Sequence, residues 1–180
     1  MKTLIIVTGA EGAGKSTVMN ALLHVTPGGA KVDGEDVGQV NPFSFDQTFL
    51  DLLWSNLVSV IGNFWAAGYP TVIAGSFLDR DTHTSLGQFL ERLDHSATLY
   101  VVHLVPSRSV RDDRRIHRSK PTSKERRDTA DANYDLSRHS LRDNANGYRY
   151  IEIDNTSQAV GSTVATVRAA IPEIYDTEHR

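Results

Sequence analysis

Four apolar runs of strand length punctuate the chain, at Leu4 to Val7, Thr71 to Ala74, Leu99 to Val105 and Tyr150 to Ile153, with a shorter candidate around Lys31 and Val32. Short continuous apolar runs fit strands buried on both faces. Between them the apolar positions switch to helical spacing. Val18, Ala21, Leu22 and Val25 share one face, as do Phe49, Leu53, Leu57, Val60, Ile61 and Phe64, which stop at Gly68 and Pro70. Leu86, Phe89, Leu90 and Leu93 repeat the spacing, and Val160, Val164, Val167 and Ile171 do so after the capping candidates Thr156 and Ser157. Strand and helix therefore alternate from end to end. That predicts an α/β fold, a three-layer sandwich whose mostly parallel five-stranded sheet is covered by helices on both faces, with ligands at the carboxyl ends of the strands.

No linker rich in Gly, Pro or Ser divides the sequence, so residues 1–180 are expected to form a single domain. One stretch lacks an apolar face. It runs from Ser119 to about Asp131, SKPTSKERRDTAD, and is expected to be a mobile basic lid emerging from a helix. The opening MKTLIIV is too short for the roughly 7 to 15 apolar residues of a signal peptide, and no run reaches membrane-spanning length. It reads as a buried strand in an intracellular, cytoplasmic protein. The absence of cysteine excludes a disulfide framework, a cysteine nucleophile and thiolate metal sites.

The net charge of −3 conceals an asymmetry: residues 108–127 hold nine of the 19 basic residues against three acids. A concentrated basic element on an acidic body suits a polyphosphate better than a long nucleic acid, which is possible but not favoured. On charge alone a solvated helix with a flanking loop is the favoured explanation.

The stretch TGAEGAGKST, Thr8 to Thr17, changes that balance. Gly9, Gly14, Lys15 and Ser16 fit G-x-x-x-x-G-K-[ST] without mismatch, between a strand run and a helical spacing as the motif requires. Glycines let backbone N–H groups turn toward phosphate oxygens, and a helix beginning near Lys15 adds the positive end of its dipole. The expected phosphate contacts are Gly9, Ala10, Gly12, Ala13, Gly14, Lys15, Ser16 and Thr17. Lys15 would reach the β and γ phosphates of ATP, and the Ser16 hydroxyl would serve Mg²⁺.

Other nucleotide-using classes need features that are missing. A GTP switch should carry an Asn-Lys-x-Asp guanine reader, and none is present. A motor ATPase should end an apolar strand in Asp or Asp-Glu, whereas TVIAGSF and VVHLVPS carry Gly75 or Pro106 there. The acids follow the second strand candidate instead, in AKVDGEDVG. Asp33, Glu35 and Asp36 cluster at the expected carboxyl edge of the sheet, where one carboxylate could hold Mg²⁺ and another accept the proton of an attacking hydroxyl. The competing explanation is an acidic turn that caps the next element.

GAEGAGKST, DGED, GYPTVIAGSF, LYVVHLVPSRSVRDDRRIHR and YIEIDNTS together resemble the small P-loop kinases that phosphorylate metabolites, the group containing shikimate kinase, gluconate kinase, adenylylsulfate kinase and chloramphenicol phosphotransferase. The resemblance spans nearly the whole chain and implies the P-loop nucleoside triphosphate hydrolase-like kinase fold. It implies Asp33 for Mg²⁺ and Glu35 for the acceptor hydroxyl, as ligand or base. Glu stands where several members have a second Asp, and Asp36 is adjacent, so the base stays open between Glu35 and Asp36. Arg111, Arg115 and Arg118 can share one helical face. By resemblance Arg114 or Arg115 stacks on adenine, while Arg118 and Lys120 belong to the lid's phosphate contacts; planar guanidiniums suit both tasks. Lys124, Arg126 and Arg127 read as solvated. Asn155 and Thr156 are similar in position to the loop along the adenine edge, although Thr156 would equally serve as the cap of the final helix.

The resemblance places acceptor recognition in QVNPFSFDQTFLDLLWSN and GSFLDRDTH, with Phe43, Phe45, Trp54 and Arg80 as candidates. For Phe45 and Trp54 core packing is the stronger expectation. Arg80, between Asp79 and Asp81, reads as a surface ion pair or a clamp for an anionic acceptor. LDRD is faintly similar to the acid-Arg-Ser element of deoxynucleoside kinases, departing from it at Asp81. His83, His103 and His117 show no ligand spacing and read as structural or surface residues. The expected activity is transfer of the γ-phosphoryl group of Mg-ATP to a hydroxyl of a small-molecule acceptor. The alternatives are a nucleoside or nucleotide kinase, including one acting on a modified base in DNA, and an ATP-binding regulatory module.

Overall fold

A computed structural model describes residues 1–78, 82–119 and 121–175. In chain order the elements are β1 (Thr3–Thr8), α1 (Lys15–Val25), β2 (Gly29–Asp33), α2 (Gly34–Val37), α3 (Gln47–Ala66), β3 (Thr71–Gly75) and α4 (His83–Leu90), followed by β4 (Thr98–Leu104), α5 (Arg108–His117), α6 (Lys124–Ser137), α7 (Ser140–Asp143), β5 (Arg149–Ile153), α8 (Val160–Ala170) and α9 (Pro172–Tyr175). The five strands form one sheet in the order β2-β3-β1-β4-β5, and every pairing is parallel. β1 is central, with Ile5 opposite Ile73 on one side and Tyr100 on the other. The chain leaves β1 toward β2 and later crosses to β4, so the crevice beyond the carboxyl end of β1 is the topological switch point.

The apolar strand runs are continuous because each face meets its own core. Leu4 and Ile6 join Val72, Ala74 and Val101 against Leu53, Trp54 and Leu57 of α3 and Phe89 of α4. Ile5 and Val7 point the other way, to Ile73, Val102, Met19 and Leu22 of α1 and Val167 of α8. Trp54 is fully buried, and its indole N–H donates to the Phe77 carbonyl at 3.0 Å. Replacing it with Ala is expected to cost about 3–5 kcal/mol.

Two expectations are corrected and one is refined. Within the stretch expected to be a mobile loop or lid the chain is helical from Lys124 onward, after a cap in which Ser123 Oγ accepts from Arg126 N. It shows no apolar periodicity because the buried positions of α6 are Asp131, Tyr134 and Ser137, so the helix docks through polar groups. Thr156 does not cap the final long helix: α8 starts after Ala159 with no side-chain cap. Instead Thr156 Oγ1 accepts from Ser107 N at 2.8 Å and donates to Asp154, tying the β5–α8 loop to the start of α5. Phe45 is not in the core; it is 57% exposed and touches Phe43 and Phe49 on the segment leading into α3.

Candidate active site

The loop between β1 and α1 is shaped by what surrounds it. Gly9 has φ +134°, and a Cβ there would lie 2.4 Å from the Leu104 carbonyl oxygen at the end of β4. Gly12 has φ +86°, and its Cβ would lie 2.8 Å from Arg111 O of α5. Any larger residue at either position would force the loop off the sheet edge. The loop delivers the chain into α1 at Lys15, so the free N–H groups of the helix's first turn open onto the crevice. The Lys15 ammonium donates back to Gly9 O at 2.8 Å and Ala10 O at 3.3 Å, which holds the charge over the loop.

Ser16 Oγ donates to Asp33 Oδ2 at 3.1 Å. Asp33 is buried, and its other oxygen accepts from Glu35 N at 3.2 Å, capping α2. The two readings of the acidic cluster are therefore compatible: one carboxylate oxygen caps, while the other faces the Ser16 hydroxyl. The short helix follows at once because Gly34 lets the backbone pass Ser76, where a Cβ would sit 2.3 Å from the Ser76 oxygen. Glu35 lines a cleft of about 360 Å³ with Lys15, Gly9 and Ala10 on one side and Arg126, Asn133 and Tyr134 of α6 on the other. Phe77 and Ser76 close the floor, and Ser76 holds a left-handed φ of 60°, uncommon outside glycine. Asp36 is exposed on the first turn of α2 and is not in the cleft wall.

A smaller cavity of about 230 Å³ lies on the other flank of the loop, between Gly14, Thr17, Arg114, Asn155 and Val160. Arg114 donates to Ala13 O at 3.1 Å and Asn155 O at 3.4 Å. Asn155 Nδ2 donates to Ala13 O at 3.0 Å, while its buried Oδ1 has no hydrogen-bond partner among the described residues. A buried acceptor in a cavity wall is ordinarily satisfied by whatever donor fills the cavity, water or ligand. Val18 and Val160 give the cavity an apolar side.

The basic segment divides differently from expectation. Arg115 is fully buried and clamped to Asp131 at 2.8 Å and Asp112 at 2.7 Å, so it is unavailable for stacking on a base, and Arg114 alone of the pair faces a cavity. Arg111 and Arg108 also bind Asp131, each at 3.1 Å. Burial disfavours the charge on both partners, yet the Arg115 hydrogen bonds hold the Asp131 carboxyl below its usual range and the carboxylate raises Arg115. The arginine face that looked free to bind phosphate is thus mostly the clamp that docks α6. Arg118 reaches Glu11 of the loop at 2.6 Å and also Thr122. Lys120 and Arg80 lie outside the described residues.

Sequence reasoning read Arg126 as solvated and passed over Asn133, Tyr134 and Phe77. The signal was present: Arg126, Ala130, Asn133 and Tyr134 fall at i, i+4, i+7 and i+8, one face of a helix that starts after Ser123. Neither a carboxylate nor any other side-chain partner engages the Arg126 guanidinium among the described residues. Arg127, by contrast, is held by Asp112 and Lys124 by Asp128.

No family model and no curated protein sequence matches the chain. Solved structures share its fold. An unliganded sugar kinase from Janibacter sp. superposes with a TM-score of 0.71 at 15% identity, over 97% of this chain and 96% of that one. A gluconokinase from Sinorhizobium meliloti gives 0.66 at 17% identity, over 97% and 94%, and a tunicamycin resistance protein from Deinococcus radiodurans gives 0.65 at 19% identity, over 95% and 96%. At these identities the likeness establishes the fold alone: the α/β architecture, a parallel five-stranded sheet flanked by helices, is shared with these solved structures.

Proposed function

We propose that this chain is an ATP-dependent phosphotransferase that moves the γ-phosphoryl group of Mg-ATP to a hydroxyl of a small-molecule acceptor. The observation that carries the reading is the convergence of Lys15, Glu35 and the unneutralised Arg126 on one cleft, beside the Ser16–Asp33 pair. Phosphoryl transfer needs little covalent help from protein; it needs in-line positioning and positive charge around the moving group. The loop N–H groups, Lys15 and Arg126 supply that charge from two sides. Of the two carboxylates in the cleft wall Glu11 is paired with Arg118, so Glu35 is the preferred group to orient the acceptor hydroxyl and take its proton, with Asp36 outside that wall. Arg118 and Lys120 remain proposed lid contacts, and Arg80 a proposed acceptor clamp.

Mg²⁺ is characteristically held by one or two protein oxygens together with substrate phosphates, and an adjacent hydroxyl and carboxylate fit that donor set. Ser16 and Asp33 would hold it, and its contribution when bound is neutralisation of charge between the β and γ phosphates. Arg114 and Asn155 are assigned to the adenine end: the guanidinium offers a flat cationic face, and the orphan Asn155 oxygen offers an acceptor to an exocyclic amino group. Thr156 holds that loop rather than the base.

ADP release from Mg-ATP, measured against a panel of nucleosides, nucleotides, sugars, sugar acids and hydroxylated antibiotics with Lys15→Ala as the blank, tests the reading. One acceptor class should raise release well above the water background, and Glu35→Ala should abolish that increment while ADP still binds. Tight ATP binding with no stimulating acceptor would instead favour an ATP-binding regulatory role.

A further inference from the structure

A second hollow, of about 420 Å³, opens at the carboxyl ends of β4 and β5, between the turn into α5 and the α6–α7 junction. Its volume suits a small ligand. Two of its arginines are already neutralised, Arg108 by Asp128 and Asp131 and Arg111 by Asp131. The charges left over are of both signs. Arg138 donates its Nε–H to His139 Nε2 at 2.9 Å and meets no carboxylate among the described residues. Asp135, three positions earlier on α6, forms no ion pair with it, although that spacing commonly allows one. Glu152 has one oxygen on the Tyr150 hydroxyl at 2.9 Å and acts electrostatically on Arg142, while its other oxygen has no hydrogen-bond partner among the described residues. Because His139 Nε2 accepts, its ring carries the proton on Nδ1 and offers a further donor. A hollow with one guanidinium and two carboxylates that form no close ion pair among the described residues has no surplus for a polyanion; it matches a ligand that brings both charges.

We propose that this hollow is a binding site for a small zwitterion of amino-acid size. Its anionic group would lie on Arg138 and the His139 donor, and its ammonium on Glu152 and Asp135. A second observation ties the site to the cleft. The Tyr150 hydroxyl that serves Glu152 also meets His103 Nδ1 at 2.7 Å, and His103 Nε2 meets the Tyr134 hydroxyl at 3.1 Å, with His103 buried among the strands. Since Tyr150 donates to Glu152, His103 donates to it through Nδ1, and its Nε2 is the atom that meets Tyr134. Tyr134 lines both the hollow and the cleft. Occupancy of Glu152 is therefore felt by a wall of the cleft, and by linkage a bound nucleotide alters zwitterion affinity by the same factor. The coupling rests on the reading of the cleft as a nucleotide site; the binding does not.

The test is calorimetric titration of the full chain with each free α-amino acid, using inorganic phosphate and glucose as single-chemistry probes. At least one amino acid should bind, and Arg138→Ala and Glu152→Gln should each weaken it about tenfold or more. Circular dichroism should confirm the fold of both variants, and ADP binding should be retained. The site is overturned if no amino acid binds, if phosphate or glucose alone binds as tightly, or if neither variant matters. ADP titration with and without the bound amino acid reads the coupling, and an unchanged ADP affinity overturns the coupling alone. Lys15→Ala should abolish ADP binding and leave amino-acid binding intact, which separates failure of this site from failure of the kinase reading.

Discussion

Ser16 at the start of α1 and Asp33 at the end of β2 meet at 3.1 Å although 17 positions separate them in the chain. The contact places a hydroxyl and a carboxylate side by side at the edge of the β1–α1 loop, and the Asp33 cap on Glu35 passes that placement to the second acid.

If this pair holds Mg²⁺, Ser16→Ala and Asp33→Asn should each lower acceptor-dependent turnover by roughly 100-fold or more, the scale for losing a group that stabilises transition-state charge. Asp33→Asn should also raise the Mg²⁺ concentration needed for half-maximal rate, while ADP binding in the absence of metal stays within a few-fold of the parent. Steady-state kinetics across an Mg²⁺ series checks this; an unshifted metal dependence in Asp33→Asn would remove the pair from the metal site.

Arg126 and Lys124 sit two residues apart on α6 and should behave differently. Lys124 is spent on exposed Asp128, whereas Arg126 faces Lys15 and Glu35 across the cleft. Arg126→Ala is expected to cut kcat by about 100-fold with a smaller change in nucleotide KM, and Lys124→Ala to change neither by more than about twofold. Equal effects of the two would show that only the general charge of the helix matters.

Asp131 is the acid on which Arg108, Arg111 and Arg115 converge. Removing one partner of a buried pair leaves uncompensated charge, so Asp131→Asn should destabilise the protein or detach α6 at a cost of about 3–5 kcal/mol. The folded-state pKa of Asp131 lies below its unfolded value because the arginine hydrogen bonds outweigh burial. Its stabilisation is thus fully present above about pH 4 and is lost as pH falls through the folded value. Denaturant titration of parent and variant between pH 3 and 7 should show the difference shrinking toward the acid end; a difference that is constant with pH would contradict the clamp.

The strands and the four helices with apolar stripes were legible because Leu4, Ile5, Ile6 and Val7 each meet one of two cores, and because Leu53, Leu57 and Ile61 follow the helical period. The tight turn between β1 and α1 was legible because its glycines answer to local geometry. What hid the rest was polar docking. α6 buries Asp131 and Tyr134 where apolar residues would have announced a helix, and Arg115 looks in sequence like Arg114 although one is a clamp and the other lines a cavity. Nor does local spacing reveal that Glu35 faces the cleft while Asp36 is outside its wall, since that depends on how Gly34 threads past Ser76.

Glu11 is an acid inside the loop proposed to hold phosphate, and it pairs with Arg118 at 2.6 Å. Both side chains are partly exposed, so the pair itself is worth little in stability. Its consequence is for nucleotide binding: an arginine engaged by Glu11 must exchange that carboxylate for a phosphate oxygen before it can act on ATP. Glu11→Ala removes the competitor and one negative charge from the loop. Nucleotide affinity should rise by roughly two- to fivefold, the range set by a solvent-screened ion pair, and the gain should vanish in the Glu11→Ala, Arg118→Ala double variant. ADP titrations of the four proteins in the cycle measure it. Additive effects would mean that Glu11 acts only through its charge and does not compete with phosphate for Arg118.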